Sequence, residues 1–244
     1  MTGGSSGIGA QVAWQFAAAG VDVGIVGRDA ERLGETQAAV EGEGRDCLVV
    51  AEDLATLEGI ERVARAALAH SERWDILVNS AGIAQMSPLL EITASDWDAI
   101  QAVNLRAAVF LAKAIVPQMI ERGSGKVVNI SSLAAFLGTP GLGMYAASKG
   151  GMNAVTRTMA VEWGPHNIQV NDVCPTVIMT AMGHQVFDRP EMANARREKE
   201  KRIPMHRFGE PHEVADLVLY LASPASDYIN GASIPVDGGL LASP

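Results

Sequence analysis

The chain has 244 residues, 48% hydrophobic and 19% charged, which suits one large α/β domain with a buried core and rules out a disordered chain. Its net charge of −9 argues against generic nucleic-acid binding, which needs positive charge to meet phosphate. Cys47 and Cys174 form no CxxC pair and read as buried free thiols. The five histidines (His70, His166, His184, His206, His212) show no ligand spacing, so no metal is expected. With no apolar run of membrane-spanning length and no export signal, the expectation is a cytoplasmic protein with neither membrane nor nucleic acid as partner.

The apolar pattern alternates between two periods along the chain. Ile8 to Ala19 reads as a helix stopped by Gly20, and Val21 to Val26 as a short strand. Asp29 is placed to cap a helix reaching Val40. Cys47 to Ala51 is a strand, Leu57 to His70 a helix, and Asp75 to Asn79 a third strand. Thr93 or Ser95 caps a long helix, 95–121, with Trp97, Ile100, Val103, Leu105 and Leu111 on its apolar face. Lys126 to Ile130 is a strand, Tyr145 to Trp163 a helix closed by Gly164 and Pro165, and Ile168 to Val173 a strand. Residues 183–209 are charged and irregular with one helix. They read as a lid inserted before the helix Pro211 to Leu221 and the last strand, Ser233 to Val236.

Strands and helices in strict alternation predict a single domain, 1–244, built as a Rossmann-like, doubly wound parallel sheet with helices on both faces. The glycine-rich stretch MTGGSSGIGA at residues 1–10 reads as a phosphate loop: Gly3, Gly7 and Gly9 allow a tight turn, close approach of a pyrophosphate, and close packing of the following helix. That loop leaves no room for the strand that precedes it in such folds. A central strand missing from this chain leaves buried backbone groups unpaired at roughly 1–3 kcal/mol each, against a total stability of about 5–15 kcal/mol. The expectation is therefore that the native start lies upstream of Met1, or that another segment fills the slot.

Further groups gather at strand ends, where open α/β sheets bind ligands. Asp53 follows the second strand, placed to meet an adenine amino group. Asn79-Ser80-Ala81-Gly82 follows the third, and its small residues let a cofactor lie against the sheet edge. Tyr145 and Lys149 sit one helical turn apart on one face. A neighbouring ammonium is expected to lower the phenol pKa and make Tyr145 a general acid or base. Ser132 stands just past the fourth strand, with its hydroxyl available to hold a substrate oxygen. Asn104 lies inside the long helix between apolar residues and calls for a buried partner such as an ordered water.

These motifs, in this order and spacing, resemble the short-chain dehydrogenase/reductase family: TGGSSGIG, NSAG, Asn104, Ser132, and Tyr145-Ala-Ala-Ser-Lys149, continuing through PVDGG at 235–239. The resemblance implies an NAD(P)(H)-dependent oxidoreductase interconverting a secondary alcohol and a ketone. Tyr145 would move the proton on the substrate oxygen and Ser132 would position that oxygen. Lys149 would hold the nicotinamide ribose and tune Tyr145, and Asn104 would anchor a proton-relaying water. It implies cofactor contacts from Ser5, Ser6, Ile8, Leu54, Ala81, Gly82 and Pro175, from Val177, Thr180 and Met182, and from Tyr145 and Lys149 as well. It also implies a homotetramer, to which the small-residue helix containing Gly150 and Gly151 contributes.

Gly27 stands where an acidic residue would grip the adenosine ribose, and Arg28 follows as a fork for a 2′-phosphate. Asp29 is able to compete by swinging toward the ribose. The charge argument favours NADP(H) over NAD(H). The run Pro175-Thr176-Val177-Ile178-Met179-Thr180-Ala181-Met182-Gly183, with the lid aromatic Phe187, is similar to the dicarbonyl/L-xylulose reductase branch and related polyol dehydrogenases. That implies a small ketose, polyol or α-dicarbonyl substrate. The branch's polar pocket residues are replaced here by Leu133, Phe136 and Leu142, which suits a less hydroxylated ketone. Two other readings share these residues. A 3-oxoacyl-thioester (acyl carrier protein) reductase needs a basic docking face, to which Arg106, Arg122 and Lys126 would contribute. A non-catalytic NADP-binding regulatory protein would not need the complete catalytic set.

Overall fold

The computed structural model describes residues 1–243, apart from the side chain of Met182. In chain order it contains α1 (Gly7–Ala18), β1 (Val23–Gly27), α2 (Ala30–Gly42), β2 (Cys47–Ala51), α3 (Leu57–His70) and β3 (Ile76–Asn79). Then come α4 (Ala94–Gln101), α5 (Ala107–Arg122), β4 (Gly125–Ile130), α6 (Gly143–Trp163) and β5 (Ile168–Pro175). The chain ends with α7 (Ala181–Phe187), α8 (Ala193–Arg202), α9 (Pro211–Ala222) and β6 (Ser233–Val236).

All strands are parallel, in the order β2-β1 and β3-β4-β5-β6. Side chains alternate across the sheet. Val78, Val128 and Val173 face α1, α2 and α9, where Val12, Phe16, Leu33 and Val218 are buried. Leu77, Val127 and Val170 face the opposite layer, with Ile115 and Met119 of α5 and Met159 of α6. Asp29, Thr56 and Thr93 cap α2, α3 and α4 by accepting from the Arg32, Gly59 and Asp96 amides. Cys47 and Cys174 are free and buried, and among the described residues no three His, Cys, Asp or Glu side chains form a metal-binding group.

The two parts of the sheet meet through Thr2, which bridges Val26 on one side and Asn79 on the other. Thr2 N donates to Val78 O at 3.0 Å and Val26 N to Met1 O at 2.9 Å. The terminal ammonium donates to Gly24 O at 2.8 Å. Met1 and Thr2 thus pair in strand fashion between β1 and β3. Among the described residues no further segment enters that lane. Its floor is an apolar cavity of about 50 Å³ between Ile25, Trp74 and Leu111. A groove of about 610 Å³ that shares Met1, Gly24, Trp74 and Ile76 with it runs past Val21, Arg45 and His70.

Two elements differ from the sequence reading. The long helix is continuous over 29 residues, Ala94–Arg122, long and apolar enough by composition to cross a membrane, although no such run was expected. Its apolarity is explained by packing: Ala108, Leu111, Ala112, Ile115 and Val116 are buried inside the fold. The lid carries two helices, not one. The rings of Phe187 and Phe208 lie 4.9 Å apart, with Lys199 and Arg196 stacked over them, so charged α8 has an apolar anchor that a periodicity scan of its own residues does not reveal.

Candidate active site

The loop before α1 is shaped by its glycines. Gly3 has φ +68°, and a Cβ on Gly9 would fall 2.1 Å from the Gly3 carbonyl oxygen, so the first turn of the helix is pressed onto its own loop. Ser6 caps α1 without a side-chain bond, and no acidic residue occupies the first turn, so the backbone N–H groups and the positive helix end remain open. That is the arrangement a pyrophosphate requires. Gly7 abuts the methyl of Thr180, which brings the start of the lid to the phosphate loop, and Thr180 itself caps α7. Gly4 was missed in the sequence reading. A Cβ there would sit 2.8 Å from that of Ile25, and only the fold reveals this contact.

Around the adenosine side, Gly27 lets Ser5 Oγ approach to 2.9 Å of where a Cβ would stand. Asp29 is committed to α2: it accepts from Arg32 N at 3.1 Å and pairs with the Arg32 guanidinium at 3.4 Å. Arg28 is exposed at the end of β1, with no ion-pair partner among the described residues. Asp53 Oδ1 accepts from Ala55 N. The side chains of Ile8, Leu54 and Ala81 pack into the apolar clusters. Asn79 also turns inward, donating to Asn129 Oδ1 at 2.9 Å. These residues fit a dinucleotide.

The four catalytic candidates come from three places in the fold. Tyr145 and Lys149 lie on α6, Ser132 follows β4, and Asn104 lies in a π-helical turn, Ala102–Arg106, between α4 and α5. Asn104 Oδ1 accepts from Ile83 N at 2.7 Å, and its Nδ2 donates to Ile83 O at 2.9 Å and to Ser148 Oγ at 3.1 Å. The partner sought for this buried amide is therefore the NSAG loop and α6, with no water needed to satisfy it. A Cβ on Gly82 would lie 3.4 Å from Asn104 Oδ1 and 3.6 Å from Lys149 Nζ, so the bare glycine opens the space beside the lysine.

The electrostatics differ from the expectation. Burial holds the Tyr145 phenol above its ordinary pKa, countered by hydrogen bonding with Ser132, whereas the sequence reading had a lowered phenol. Lys149 Nζ donates to Ile130 O at 2.7 Å and lies 5.7 Å from the centroid of the tyrosine ring. Burial lowers the lysine to about 8, with the charge of Asp172 opposing the shift. The resting site thus pairs a protonated phenol with a buried, partly destabilised ammonium.

On the substrate side, Leu142 caps α6 and Leu133 is buried just after Ser132. Thr176 N donates to Val236 O, and Val177 and Met179 pack with Phe187, Ile203 and Phe208 of the lid. Two residues beside the start of α6 were missed. Met86 lies against Gly141, and Leu89 packs so closely on Gly143 that a Cβ there would clash. Both are exposed and sit in a loop without periodicity, so no sequence signal marks them.

The family model described as Enoyl-(Acyl carrier protein) reductase matches residues 3–241. A D-threitol dehydrogenase of Mycolicibacterium smegmatis is 37% identical over 98% of this chain and 90% of its own length. An L-xylulose reductase of Bos taurus is 38% identical over 100% of this chain and 96% of its own. A solved Beutenbergia cavernae structure, described as an NAD(P)-dependent gluconate 5-dehydrogenase with NADP bound at low occupancy, superposes with a TM-score of 0.92 at 36% identity. It covers 100% of this chain and 96% of that one.

Proposed function

The chain belongs to the short-chain dehydrogenase/reductase family, and from that premise we propose that it is an NADP(H)-preferring reductase of small ketoses or α-dicarbonyls, running in reverse on polyols. The coarser activity is that of its relatives: an NAD(P)-dependent enzyme interconverting a secondary alcohol and a ketone. The observation that carries the reading is the convergence of Ser132, Tyr145, Lys149 and Asn104 beside the bare Gly82.

When bound, the nicotinamide supplies or accepts the hydride at the carbonyl carbon. The chain does the rest. The first turn of α1 would hold the pyrophosphate, with Thr180, which abuts Gly7, and Val177 as further candidate contacts. Ser132 donates to the substrate oxygen, and Tyr145, protonated at neutral pH, gives that oxygen its proton. Lys149 places positive charge next to the tyrosinate that results. Asn104 ties the NSAG loop to α6 and so fixes the distance between cofactor floor and lysine.

NADP(H) preference is supported by Arg28, exposed after β1 with no ion-pair partner among the described residues, and by Asp29 being engaged by Arg32 in the cap of α2. An apolar mouth of Met86, Leu89, Phe136 and Leu142 favours a substrate hydroxylated toward one end. The thioester reading is not favoured. Arg106 donates to Ala55 O, Arg122 to Trp74 O and Lys126 to Asp227, so the residues expected to dock an acidic carrier protein are held by the chain itself. A homotetramer is supported by exposed Trp97 and Phe110 and by Gly150, beside which there is open space. The test is initial rates with NADPH and NADH against a ketose, a tetrulose, diacetyl and a β-ketoacyl thioester. Ketose or dicarbonyl turnover, faster with NADPH, is expected. Turnover of the thioester alone, or of none, overturns the reading.

A further inference from the structure

Beneath the catalytic pair lies a buried polar chain that none of the steps above uses. Helix α6 turns Lys149, Asn153 and Thr156 onto one face, against β4 and β5. Opposite them Asn129 and Asp172 pair in register across those strands. All five side chains are buried, and Asp172 is completely so. Thr156 Oγ1 donates to Asp172 Oδ1 at 2.5 Å and Ser233 Oγ to Asp172 Oδ2 at 3.0 Å. Asn129 Nδ2 donates to Thr156 Oγ1 at 2.8 Å. With its amide nitrogen turned inward, Asn153 Nδ2 lies 2.5 Å from Ser131 Oγ, 3.1 Å from the Lys149 carbonyl oxygen and 3.1 Å from Asp172 Oδ2, and its two N–H groups are shared among these three acceptors. The chain of bonds therefore runs from the carboxylate to the backbone of the catalytic lysine, whose ammonium is held on the next residue of β4, Ile130.

A carboxylate placed in a dry core is costly unless a charge answers it. The ionisable groups facing this cluster are few. From α6 come Lys149 and Tyr145, and from β5 come Asp172 and Cys174; β4 and β6 present Asn129, Ser131 and Ser233, which carry no charge. Cys174 is pushed up to about 12 and is neutral. Lys149 is the one cation among them.

We propose that Asp172 is the buried counter-charge of Lys149, a positioning residue that keeps the catalytic lysine protonated while the site is closed to water. Resting on the reductase reading, this gives Asp172 a role in the reaction without contact with substrate or cofactor. Burial raises the Asp172 carboxyl to about 6, so the counter-charge is present at neutral pH and withdrawn in mild acid.

The test is the titration of Lys149 in unliganded protein, followed by NMR of isotopically labelled lysine and assigned with Lys149→Arg. In the parent chain the midpoint is expected near 8. In Asp172→Asn, and in Asp172→Ser should the amide fail to fold, it should fall by about one pH unit or more. The alkaline limb of kcat/KM for carbonyl reduction should move the same way. A folded variant whose lysine titrates where the parent's does overturns the proposal, even if its rate or stability has changed. Because the titration needs no substrate, it stands apart from the carbonyl panel: a parent that reduces no carbonyl defeats the functional reading, and an unmoved lysine defeats this one.

Discussion

Lys149 Nζ donates to the Ile130 carbonyl at 2.7 Å, so the ammonium is held on the sheet while lying 5.7 Å from the Tyr145 ring centroid. The bond fixes where the positive charge stands, and burial decides when it is there. Burial lowers the folded lysine to about 8 from its ordinary 10.5, so the ammonium is present well below pH 8 and is lost as pH rises through it. The phenol, raised by burial, keeps its proton over that interval. Carbonyl reduction should therefore decline above about pH 8, the limb reporting lysine and not tyrosine. Lys149→Arg, which remains protonated, should move the limb at least about one unit upward, even at reduced rate. A limb that stays in place in this variant would assign it to another group.

Tyr145→Phe removes the proton donor and leaves the ring. General acid catalysis contributes about 10²–10⁴-fold, and kcat should fall by that order. NADPH binding, measured by fluorescence, should change little, because Lys149 and the α1 loop are untouched. Full turnover in the folded variant would remove Tyr145 from the reaction.

Arg28→Ala tests cofactor choice. A charge-assisted bond to a 2′-phosphate is worth about 1.5–3 kcal/mol, so KM for NADPH should rise about 10- to 100-fold while KM for NADH stays put. Equal effects on both cofactors would place Arg28 elsewhere than at the 2′-position.

Much of this was written locally in the chain. Leu57–His70 and Ser233–Val236 appear where their patterns put them, because each carries its own cap or apolar run. That Tyr145 and Lys149 share one face was legible because a helix fixes their spacing, whereas Ser132 and Asn104 were singled out by the family's motif order. What was not legible depends on distance in sequence. Asn104 finds Ile83 and Ser148 only once α4, α5 and α6 pack, and Asp172 meets Asn153 only across the layer between strand and helix. The sign of the Tyr145 shift was missed for the same reason: the local pattern shows a neighbouring cation, while burial, the larger effect, is a property of the assembled fold.

Gly9→Ala probes the phosphate loop. The new methyl would start 2.1 Å from the Gly3 carbonyl oxygen, a backbone atom with no side-chain freedom to withdraw. The loop must open, so NADPH affinity should drop at least about tenfold, with a loss of about 1–3 kcal/mol in unfolding stability typical of overpacking. Ala at Gly150, where a Cβ meets open space, is the matched control and should leave monomer stability unchanged or slightly improved.

Glu213 joins three interactions at the start of α9. Its carboxylate accepts from Glu210 N at 2.8 Å in a capping box and takes the forked guanidinium of Arg207, bonding at 2.7 Å through Nη1. These partners hold its pKa down to about 2 from an ordinary 4.5, the Arg207 bond contributing most. A depressed carboxylate stabilises the fold above its unfolded pKa and loses that contribution as pH falls through the folded value. Glu213→Gln should therefore cost about 1–2 kcal/mol at pH 7, the order of a lost cap with a partly exposed ion pair. The gap between variant and parent should narrow steadily between pH 4.5 and 2. Urea unfolding at several pH values measures it. Since α9 packs on α1, which carries the phosphate loop, the same variant should also weaken NADPH binding slightly at neutral pH. A stability difference that does not change with pH would show that the carboxylate acts through its shape and not its charge.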